Sequence, residues 1–189
     1  DKKIPVYSGL GGGTSNAASV LNFLTRGKIK KNILNKIIED VGSDIRLFLN
    51  DQGYLKNLKT VINIRKKQKL NFLLVFPNIQ CSTKEIYSKV KIYSHKKQIT
   101  QSNFNTKTKL IKTIVNSSND LQLVVEKKYP IIKKLLDHIN KSKGCILSRM
   151  TGSGSVCFGL YINHRCSKAA LKTLRKKYPK FWFSIAKTI

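Results

Sequence analysis

The chain has 189 residues, 41% of them hydrophobic, which is enough for one sizeable domain or two small ones and excludes wholesale disorder. Its 37 lysines and arginines and 9 acidic residues give a formal net charge of +28. The cations are scattered and form no arginine-rich or aromatic-interleaved stripe, so we predict no nucleic-acid partner. The positive field favours small anionic substrates instead.

Localisation and redox state follow from what the sequence lacks. No apolar run approaches the length of a membrane-spanning helix, and no signal peptide is visible. The four cysteines form no C-x-x-C pair and have no histidine at metal-ligand spacing. We therefore predict a cytoplasmic protein with reduced thiols and no membrane partner. Because the chain opens on Asp1 without a methionine, we expect the sequence to begin inside a domain.

The first element is a glycine-rich stretch, in which four of the five positions 9–13 are glycine. Glycine has no Cβ and reaches positive φ, so its N–H groups can converge on an anion. Thr14 or Ser15 then stands where a helix N-cap belongs. A glycine loop that leads into a helix N-terminus predicts a phosphate-binding site. The residues predicted to form the buried face of that helix recur at helical spacing: Ala17, Val20, Leu21 and Leu24.

Two common phosphate motifs do not fit this stretch. No Gly-Lys-Ser/Thr follows the glycines, which excludes a Walker A loop. The pattern from Gly9 to Thr14 lacks the third glycine of a dinucleotide fingerprint, and no βαβ unit with a ribose-binding acid follows. A flexible linker is the simpler alternative, although linkers do not usually run straight into a capped amphipathic helix.

Asp44 follows the next predicted helix, which covers 29–41 and is broken at Gly42 and Ser43. An apolar run lies on its far side, so we expect the carboxylate to be tucked toward the interior. There it could take a proton from a substrate hydroxyl during phosphoryl transfer. Alternatively, it could simply cap a helix or turn.

The polar run 65–69 predicts a boundary between two domains, 1–67 and 68–189. One or two strands are expected at 54–64 and a surface loop at 91–107. Beyond the boundary we predict strands at 70–76, 145–148, 156–162 and 181–186, and helices at 82–90, 108–115, 119–127, 130–143 and 167–178. This order predicts an α+β architecture in which helices cover one face of an antiparallel sheet.

The segment from Met150 to Ser155 joins two of these strands and alternates glycine with hydroxyl side chains. It could be no more than a hairpin turn. Six residues are long for a tight turn, however, so its N–H and O–H groups could line a second anion site. Asn119 and Asp120 are predicted to cap the helix that follows them.

Three loops and one further short element resemble those of the GHMP kinases, the superfamily named for galactokinase, homoserine kinase, mevalonate kinase and phosphomevalonate kinase. Most members carry a shorter Gly-Leu-Gly-Ser-Ser loop, and the triple glycine is particular to one branch. The matching elements are Gly9-Leu10-Gly11-Gly12-Gly13-Thr14-Ser15-Asn16-Ala17-Ala18, Gly42-Ser43-Asp44, Ser118-Asn119-Asp120-Leu121 and Arg149-Met150-Thr151-Gly152-Ser153-Gly154-Ser155. Together they span the chain.

The resemblance implies an ATP-dependent small-molecule kinase that uses Mg²⁺ and has a two-domain GHMP kinase fold. Its first domain would be the remainder of a ribosomal-protein-S5-domain-2-like ATP-binding domain, and its second a ferredoxin-like α+β C-terminal domain. The branch with the triple glycine phosphorylates the 2-hydroxyl of a cytidylated methylerythritol in non-mevalonate isoprenoid biosynthesis. A monomer or weak homodimer is expected.

The same resemblance implies roles for individual residues. Asp44 would be the catalytic base or orienting carboxylate, and Ser15 would lie near Mg²⁺. The loop of Gly152, Ser153 and Gly154 would close on the phosphates and the substrate. The residues that would wrap the ATP phosphates are Pro5, Val6, Tyr7, Ser8, Gly9, Leu10, Gly11, Gly12, Gly13, Thr14 and Ser15.

The sequence departs from the family pattern in three places. It lacks the opening strand with a lysine and an asparagine, and most groups that would hold the cytosine, so we expect an incomplete catalytic unit. Tyr7 stands where a small residue is usual. Arg46 stands where proline is usual and could pair with Asp44 or contact phosphate. The alternatives are a kinase for homoserine or a mevalonate, and a non-catalytic phosphate-binding module.

Overall fold

A computed structural model describes residues 3–94 and 98–188, which divide into two compact units. The sheet unit contains 3–10, 69–94 and 112–188, and the helical unit contains 11–68 and 98–111. The chain passes from the helical unit to the sheet unit between residues 68 and 69, one residue after the predicted boundary at 67/68. A single cut there does not describe the units, because the first ten residues belong with the sheet unit and 98–111 with the helical unit.

The helical unit contains three helices and a hairpin, followed by a short 3₁₀ helix. Its elements are α1 (Gly12–Leu24), α2 (Lys31–Val41), α3 (Ile45–Phe48), β1 (Gly53–Asn57), β2 (Thr60–Asn63) and the 3₁₀ helix Gln101–Phe104. Helix α5 (Lys107–Val115) begins in this unit and ends in the sheet unit. A small core joins α1, α2 and α3 through Ala18, Ile38 and Ile45, all of them buried.

Two expectations for α1 are wrong. The helix begins at Gly12, with Gly11 at the N-cap position in the left-handed conformation, so Thr14 and Ser15 lie inside the first turn and cap nothing. Glycine reaches this conformation without strain and starts the helix earlier than the hydroxyls suggest. Of the predicted buried face, Ala17 and Leu21 pack into the core, whereas Val20 and Leu24 are exposed.

The predicted surface loop at 91–107 also needs correction. Residues 101–104 form the 3₁₀ helix, and Phe104 is buried with its ring centroid 5.9 Å from that of Tyr54. Burying the Phe104 ring stabilises the segment, since a fully buried aromatic side chain contributes about 1.5–3 kcal/mol. Residues 95–97 of this predicted loop lie outside the described residues.

The strands and helices of the sheet unit follow one another in ferredoxin-like order. It contains β3 (Asn71–Phe76), α4 (Thr83–Ser88), α6 (Gln122–Lys128), α7 (Pro130–Asn140), β4 (Cys145–Met150), β5 (Cys157–Tyr161), α8 (His164–Lys177) and β6 (Trp182–Lys187). The strand order is β4-β5-β3-β6 and each pairing is antiparallel, with Val75 opposite Cys157 on one side and Phe183 on the other. This confirms the predicted α+β architecture.

The main core lies between one face of this sheet and helices α7 and α8. Alternate residues of β3, Leu73 and Val75, point into it and are fully buried. Pro130 occupies the first turn of α7, where its missing N–H costs nothing. The buried helical residues that pack in this core repeat at helical spacing: Ile132, Leu135, Leu136, Ile139, Ala170 and Leu174. In the described part of the chain, no helix is long and apolar enough to cross a membrane.

Candidate active site

In the sheet unit, the start of the glycine-rich stretch lies against the loop between β4 and β5. The Val156 N–H donates to the Ser8 carbonyl at 3.0 Å, and the Thr151 hydroxyl donates to the Gly9 carbonyl at 3.1 Å. Ser8 is buried by this pairing. Two of the loops predicted to bind phosphate are therefore held together by hydrogen bonds to the backbone carbonyls of Ser8 and Gly9.

Both loops need glycine at this contact. Gly9 has φ +74°, and a Cβ there would lie 2.4 Å from the Thr151 carbonyl oxygen. Gly152 has φ +53°, and a Cβ there would lie 2.9 Å from the Gly9 carbonyl oxygen. Such distances are too short for any other side chain, so the close approach explains why these two positions are glycine.

Asn119 holds the same loop in place through hydrogen bonds. Its side-chain amide donates to the carbonyls of Met150 and Gly152, each at 2.9 Å, while its Oδ1 accepts the Leu121 N–H at 3.1 Å. The predicted cap is wrong, because α6 begins at Gln122 with Leu121 at its N-cap position and no side-chain cap, so the bond from the Leu121 N–H precedes the helix. The contact of Asn119 with the loop was not predicted. The Ser118-Asn119-Asp120-Leu121 motif marked Asn119 as a residue of interest. The spacing of the motif could not show which groups Asn119 contacts in the fold.

Arg149 and two hydroxyl groups complete the surroundings of the loop. The half-buried Arg149 guanidinium donates to the Ile114 carbonyl at 3.0 Å and to the Ser117 hydroxyl at 2.9 Å, and burial lowers its pKa. The Ser153 and Thr83 hydroxyls lie 2.9 Å apart. Thr83, at the start of α4, was not among the predicted site residues. Ser153 is therefore positioned from two sides, by its own loop and by α4.

The remaining glycines lie in the helical unit, at the N-terminus of α1. Gly11 has φ +66°, and a Cβ there would lie 2.8 Å from the Phe48 ring. At Gly13 a Cβ would meet nothing within 4 Å, so space is open beside the first turn. The first N–H groups of a helix have no intrahelical partner, and the first bond within α1 runs from the Ser15 N–H to the Gly11 carbonyl at 2.8 Å. The turn therefore offers N–H donors next to open space.

Asp44 lies in the helical unit at the N-cap position of α3, but its side chain caps nothing. It is exposed, which corrects the expectation that it points into the interior. The Arg46 guanidinium donates to Asn35 Oδ1 at 2.8 Å, and no ion pair joins Arg46 to Asp44 in the described residues. Residues two apart on a helix do not face each other, which explains this choice of partner. The carboxylate is thus available to a substrate.

The fold therefore groups the predicted site residues by unit. In the sheet unit, Ser8 and Gly9 meet the loop that contains Gly152, Ser153 and Gly154. In the helical unit, the contact of Ala18 with the buried Ile45 packs α1 against the helix that follows Asp44. Tyr7 is exposed, with φ +53°, a conformation that non-glycine residues rarely adopt.

The described residues contain no group of three or more His, Cys, Asp or Glu side chains that could hold a metal ion. A kinase Mg²⁺ needs no such cage, because it binds through one or two protein oxygens and the substrate phosphates. The partly exposed hydroxyl of Ser15, in the first turn of α1, suits that requirement. The four cysteines are free, and burial raises the thiol pKa of Cys81, Cys145 and Cys157.

Comparison with known proteins gives three kinds of match. The family model described as "GHMP kinases C terminal" matches residues 102–180. A protein of Pelagibacter ubique (strain HTCC1062) called 4-diphosphocytidyl-2-C-methyl-D-erythritol kinase is 36% identical over 195 residues, which covers 100% of this chain and 67% of that protein. A protein of the same name from Thermoanaerobacter pseudethanolicus is 33% identical and is covered to 66%. The chain thus spans about two thirds of the length of these curated relatives.

Two solved structures share the fold. One, a crystal structure of 4-(cytidine 5'-diphospho)-2C-methyl-D-erythritol kinase, matches with a TM-score of 0.68 and 22% identity over 98% of this chain and 68% of that one. The other, homoserine kinase from Cytophaga hutchinsonii, matches with a TM-score of 0.71 and 14% identity over 100% of this chain and 68% of that one. At these identities the likeness is one of fold.

Proposed function

This chain belongs to the GHMP kinase superfamily, and on that basis we propose that it transfers the γ-phosphate of ATP to the 2-hydroxyl of a cytidylated methylerythritol. The choice of acceptor is supported by the name of the relative that is 36% identical over the whole chain. The structural observation that carries the kinase proposal is the glycine-rich stretch, with Gly9 and Gly11 at positive φ, leading into the uncapped N-terminus of α1.

The phosphates of ATP bind, in this proposal, along Pro5–Ser15. Gly12, Gly13 and Thr14 supply the first N–H groups of α1, which have no partner within the helix, at the positive end of its dipole, where an anion is stabilised. The open space beside Gly13 lets phosphate oxygens approach the backbone. The Ser15 hydroxyl would hold Mg²⁺ together with phosphate oxygens, and the metal would supply charge neutralisation during transfer.

Asp44 acts on the acceptor alcohol. Its exposed carboxylate orients the hydroxyl and takes its proton as the oxygen attacks the γ-phosphorus, while the bond from that phosphorus to the bridging oxygen breaks and ADP leaves. The packing of Ile45 against Ala18 fixes the backbone from which Asp44 projects. Positioning of this kind is the main protein contribution to phosphoryl transfer, because the chemistry itself needs no covalent intermediate.

The loop of Gly152, Ser153 and Gly154 contributes N–H and O–H donors to the transferring phosphate. Its position is set by the Asn119 amide and by the pairing with Gly9, so the donors are held before substrate arrives. Donors fixed in advance stabilise the charge of a transition state without a cost of reorganisation.

The test of the mechanism is Asp44→Asn in the full-length protein. We expect ATP affinity within about twofold of the parent and turnover lower by about 10²-fold or more, the usual contribution of a general base. Asp40→Asn removes the same charge from an exposed position of α2 and serves as the matched control. Equal turnover in the parent and in Asp44→Asn would remove Asp44 from the mechanism.

The acceptor is tested separately, by ADP release with a panel of alcohols. We expect turnover with the cytidylated methylerythritol and at most trace turnover with homoserine or mevalonate. Turnover with one of the others alone would retain the kinase and change its substrate. Salt-dependent RNA binding without nucleotide preference or turnover would indicate a non-catalytic phosphate-binding module instead.

A further inference from the structure

The sheet unit carries a concave site with a volume of about 670 Å³. It opens where the segment that follows α4 runs beside α6, and the residues lining it include none of those proposed to bind ATP, Mg²⁺ or the acceptor. Its volume lies within the range of small-molecule sites. The composition of its wall and rim indicates the class of ligand.

The wall of this pocket is apolar. Val90 and Val124 pack against the main core, and they are joined by Ile92 and Leu123, whose exposed fractions are 85% and 67%. Large apolar side chains side by side in a concavity gain free energy when an apolar group covers them. The wall therefore favours a ligand with a hydrocarbon or aromatic body.

The rim of the pocket is cationic, with four lysines at 89, 91, 127 and 128. Lys89 and Lys128 share the carboxylate of Glu85, each with its Nζ 2.6 Å from Oε1. Neither Lys91 nor Lys127 forms an ion pair among the described residues. Asp120 also lines the pocket, so two carboxylates face four lysines and an excess of two positive charges remains.

The charge of Asp120 is already engaged within the protein. Its carboxylate accepts the Ser94 N–H at 2.9 Å and the hydroxyls of Ser94 and Ser118. These hydrogen bonds, chiefly the one from the Ser94 side chain, lower the pKa of Asp120. The carboxylate thus shapes one end of the pocket, while Lys91 and Lys127 remain for an anion.

We propose that this pocket binds a small amphipathic anion, an organic phosphate or carboxylate whose apolar body packs against Ile92 and Leu123 and whose acidic group lies among the rim lysines. A purely polar anion would leave the apolar wall in water. A neutral apolar molecule would leave the excess positive charge uncompensated. Only a ligand with both parts satisfies the wall and the rim together.

The experiment is calorimetric titration of the full-length protein with 1-naphthyl phosphate and, separately, 1-naphthoate, both in saturating ADP. We expect one site per chain, with affinity that falls as salt rises. Inorganic phosphate and 1-naphthol, which each carry only one of the two parts, should bind at least about tenfold more weakly. Comparing the phosphate with the carboxylate identifies the acidic group that the rim prefers.

Two substitutions, each with a matched control, locate the probe. Leu123→Glu places a negative charge in the wall and should weaken binding by about tenfold or more. Leu58→Glu makes the same change at a leucine of similar exposure, 69%, in the helical unit and should have no effect. Lys127→Gln should weaken binding several-fold, whereas Lys133→Gln on α7 should not. Unchanged urea midpoints would show that the variants remain folded.

The proposal is overturned if ADP displaces the probe, since the probe would then occupy the nucleotide loop. Equal affinities for Leu123→Glu and Leu58→Glu, or binding of 1-naphthol as tight as that of 1-naphthyl phosphate, would also overturn it. None of these outcomes bears on the kinase proposal, which is judged by turnover and by Asp44.

Discussion

The hydroxyl of Thr151 donates a hydrogen bond to the carbonyl of Gly9 at 3.1 Å, although 142 residues separate the two along the chain. One residue earlier, the Ser8 carbonyl accepts the Val156 N–H at 3.0 Å. Two successive carbonyls of the glycine-rich stretch are therefore held by the loop between β4 and β5. A change at either end of this contact should alter both the stability of the sheet unit and the binding of ATP.

Replacing Thr151 with valine tests this contact, because valine keeps the branched shape and removes only the hydroxyl. The Gly9 carbonyl would lose a neutral hydrogen bond, and we expect the free energy of unfolding to fall by about 1 kcal/mol. ATP affinity should fall as well, since the loop that orders Gly9 is weakened. Urea unfolding and nucleotide titration measure the two effects.

Serine at position 151 is the matched control, because it keeps the hydroxyl and loses the methyl group. It should retain most of the stability and most of the ATP affinity. If Thr151→Ser and Thr151→Val behave alike, the hydrogen bond to Gly9 contributes nothing measurable, and the proposed coupling of the two loops is wrong.

The glycines at 9 and 13 should respond oppositely to alanine. A Cβ at Gly9 would lie 2.4 Å from a backbone oxygen at φ +74°, so Gly9→Ala requires the loops to separate and should cost about 2 kcal/mol or more. A Cβ at Gly13 meets nothing within 4 Å inside a helix, where alanine gains about 0.5–1 kcal/mol over glycine. Thermal unfolding of the two variants separates the effects. A stable Gly9→Ala would contradict the close approach.

Periodicity predicted the sheet unit well. The buried stripe of α7 and the apolar run of β3 each lie where their patterns placed them. The order of the elements predicted the α+β architecture and the resemblance of the loops predicted the GHMP kinase fold, and both are confirmed. The spacing of the apolar residues is informative here because the apolar sides of α7 and β3 are buried in the core on one face of the sheet. The exposed Val20 and Leu24 of α1 show the limit. Spacing tells which residues share a helical face, but not which element covers it.

The candidate site was predicted less completely. The motifs identified the glycine loop and Asp44 as candidates, yet the partners of Asn119 lie 31 and 33 residues away and depend on how β4 is placed. The exposure of Asp44 was also unexpected, because Ile45 directly after it is buried on α3 while Asp44 itself precedes the helix. Contacts of this kind follow from tertiary packing and have no local sequence signal.

Tyr7 carries a backbone strain that a substitution can remove. Its φ is +53°, and its side chain is 65% exposed, so the ring offers little burial in return. Tyr7→Gly should raise the free energy of unfolding by about 0.5–1 kcal/mol, after the entropy of glycine in the unfolded chain is subtracted. Tyr7→Ala removes the ring but keeps a Cβ, and it should give no gain. A higher free energy of unfolding for Tyr7→Ala would show that the gain comes from removing the ring and not from relieving the backbone strain.

Glu85 links α4 to α6 through Lys128 and also pairs with Lys89 at the end of its own helix. Its carboxylate accepts from Lys128 Nζ and Lys89 Nζ, each at 2.6 Å, and these hydrogen bonds, that of Lys128 first, lower its pKa from 4.5 to about 2. Because the pKa in the folded state is below its unfolded value, the pair stabilises the fold above pH 4.5. That contribution is lost as the pH falls from 4.5 to about 2.

Glu85→Gln should therefore lower the urea midpoint at pH 6, and the difference from the parent should shrink to zero as the pH approaches 2. The pair is solvent-exposed, so salt should reduce the difference as well. Glu39→Gln removes the same charge from an exposed position of α2 and controls for net charge. Urea midpoints of the three proteins between pH 2 and 6 measure the effect. A difference between the parent and Glu85→Gln that stays constant across this range would show that Glu85 stabilises the fold independently of its negative charge.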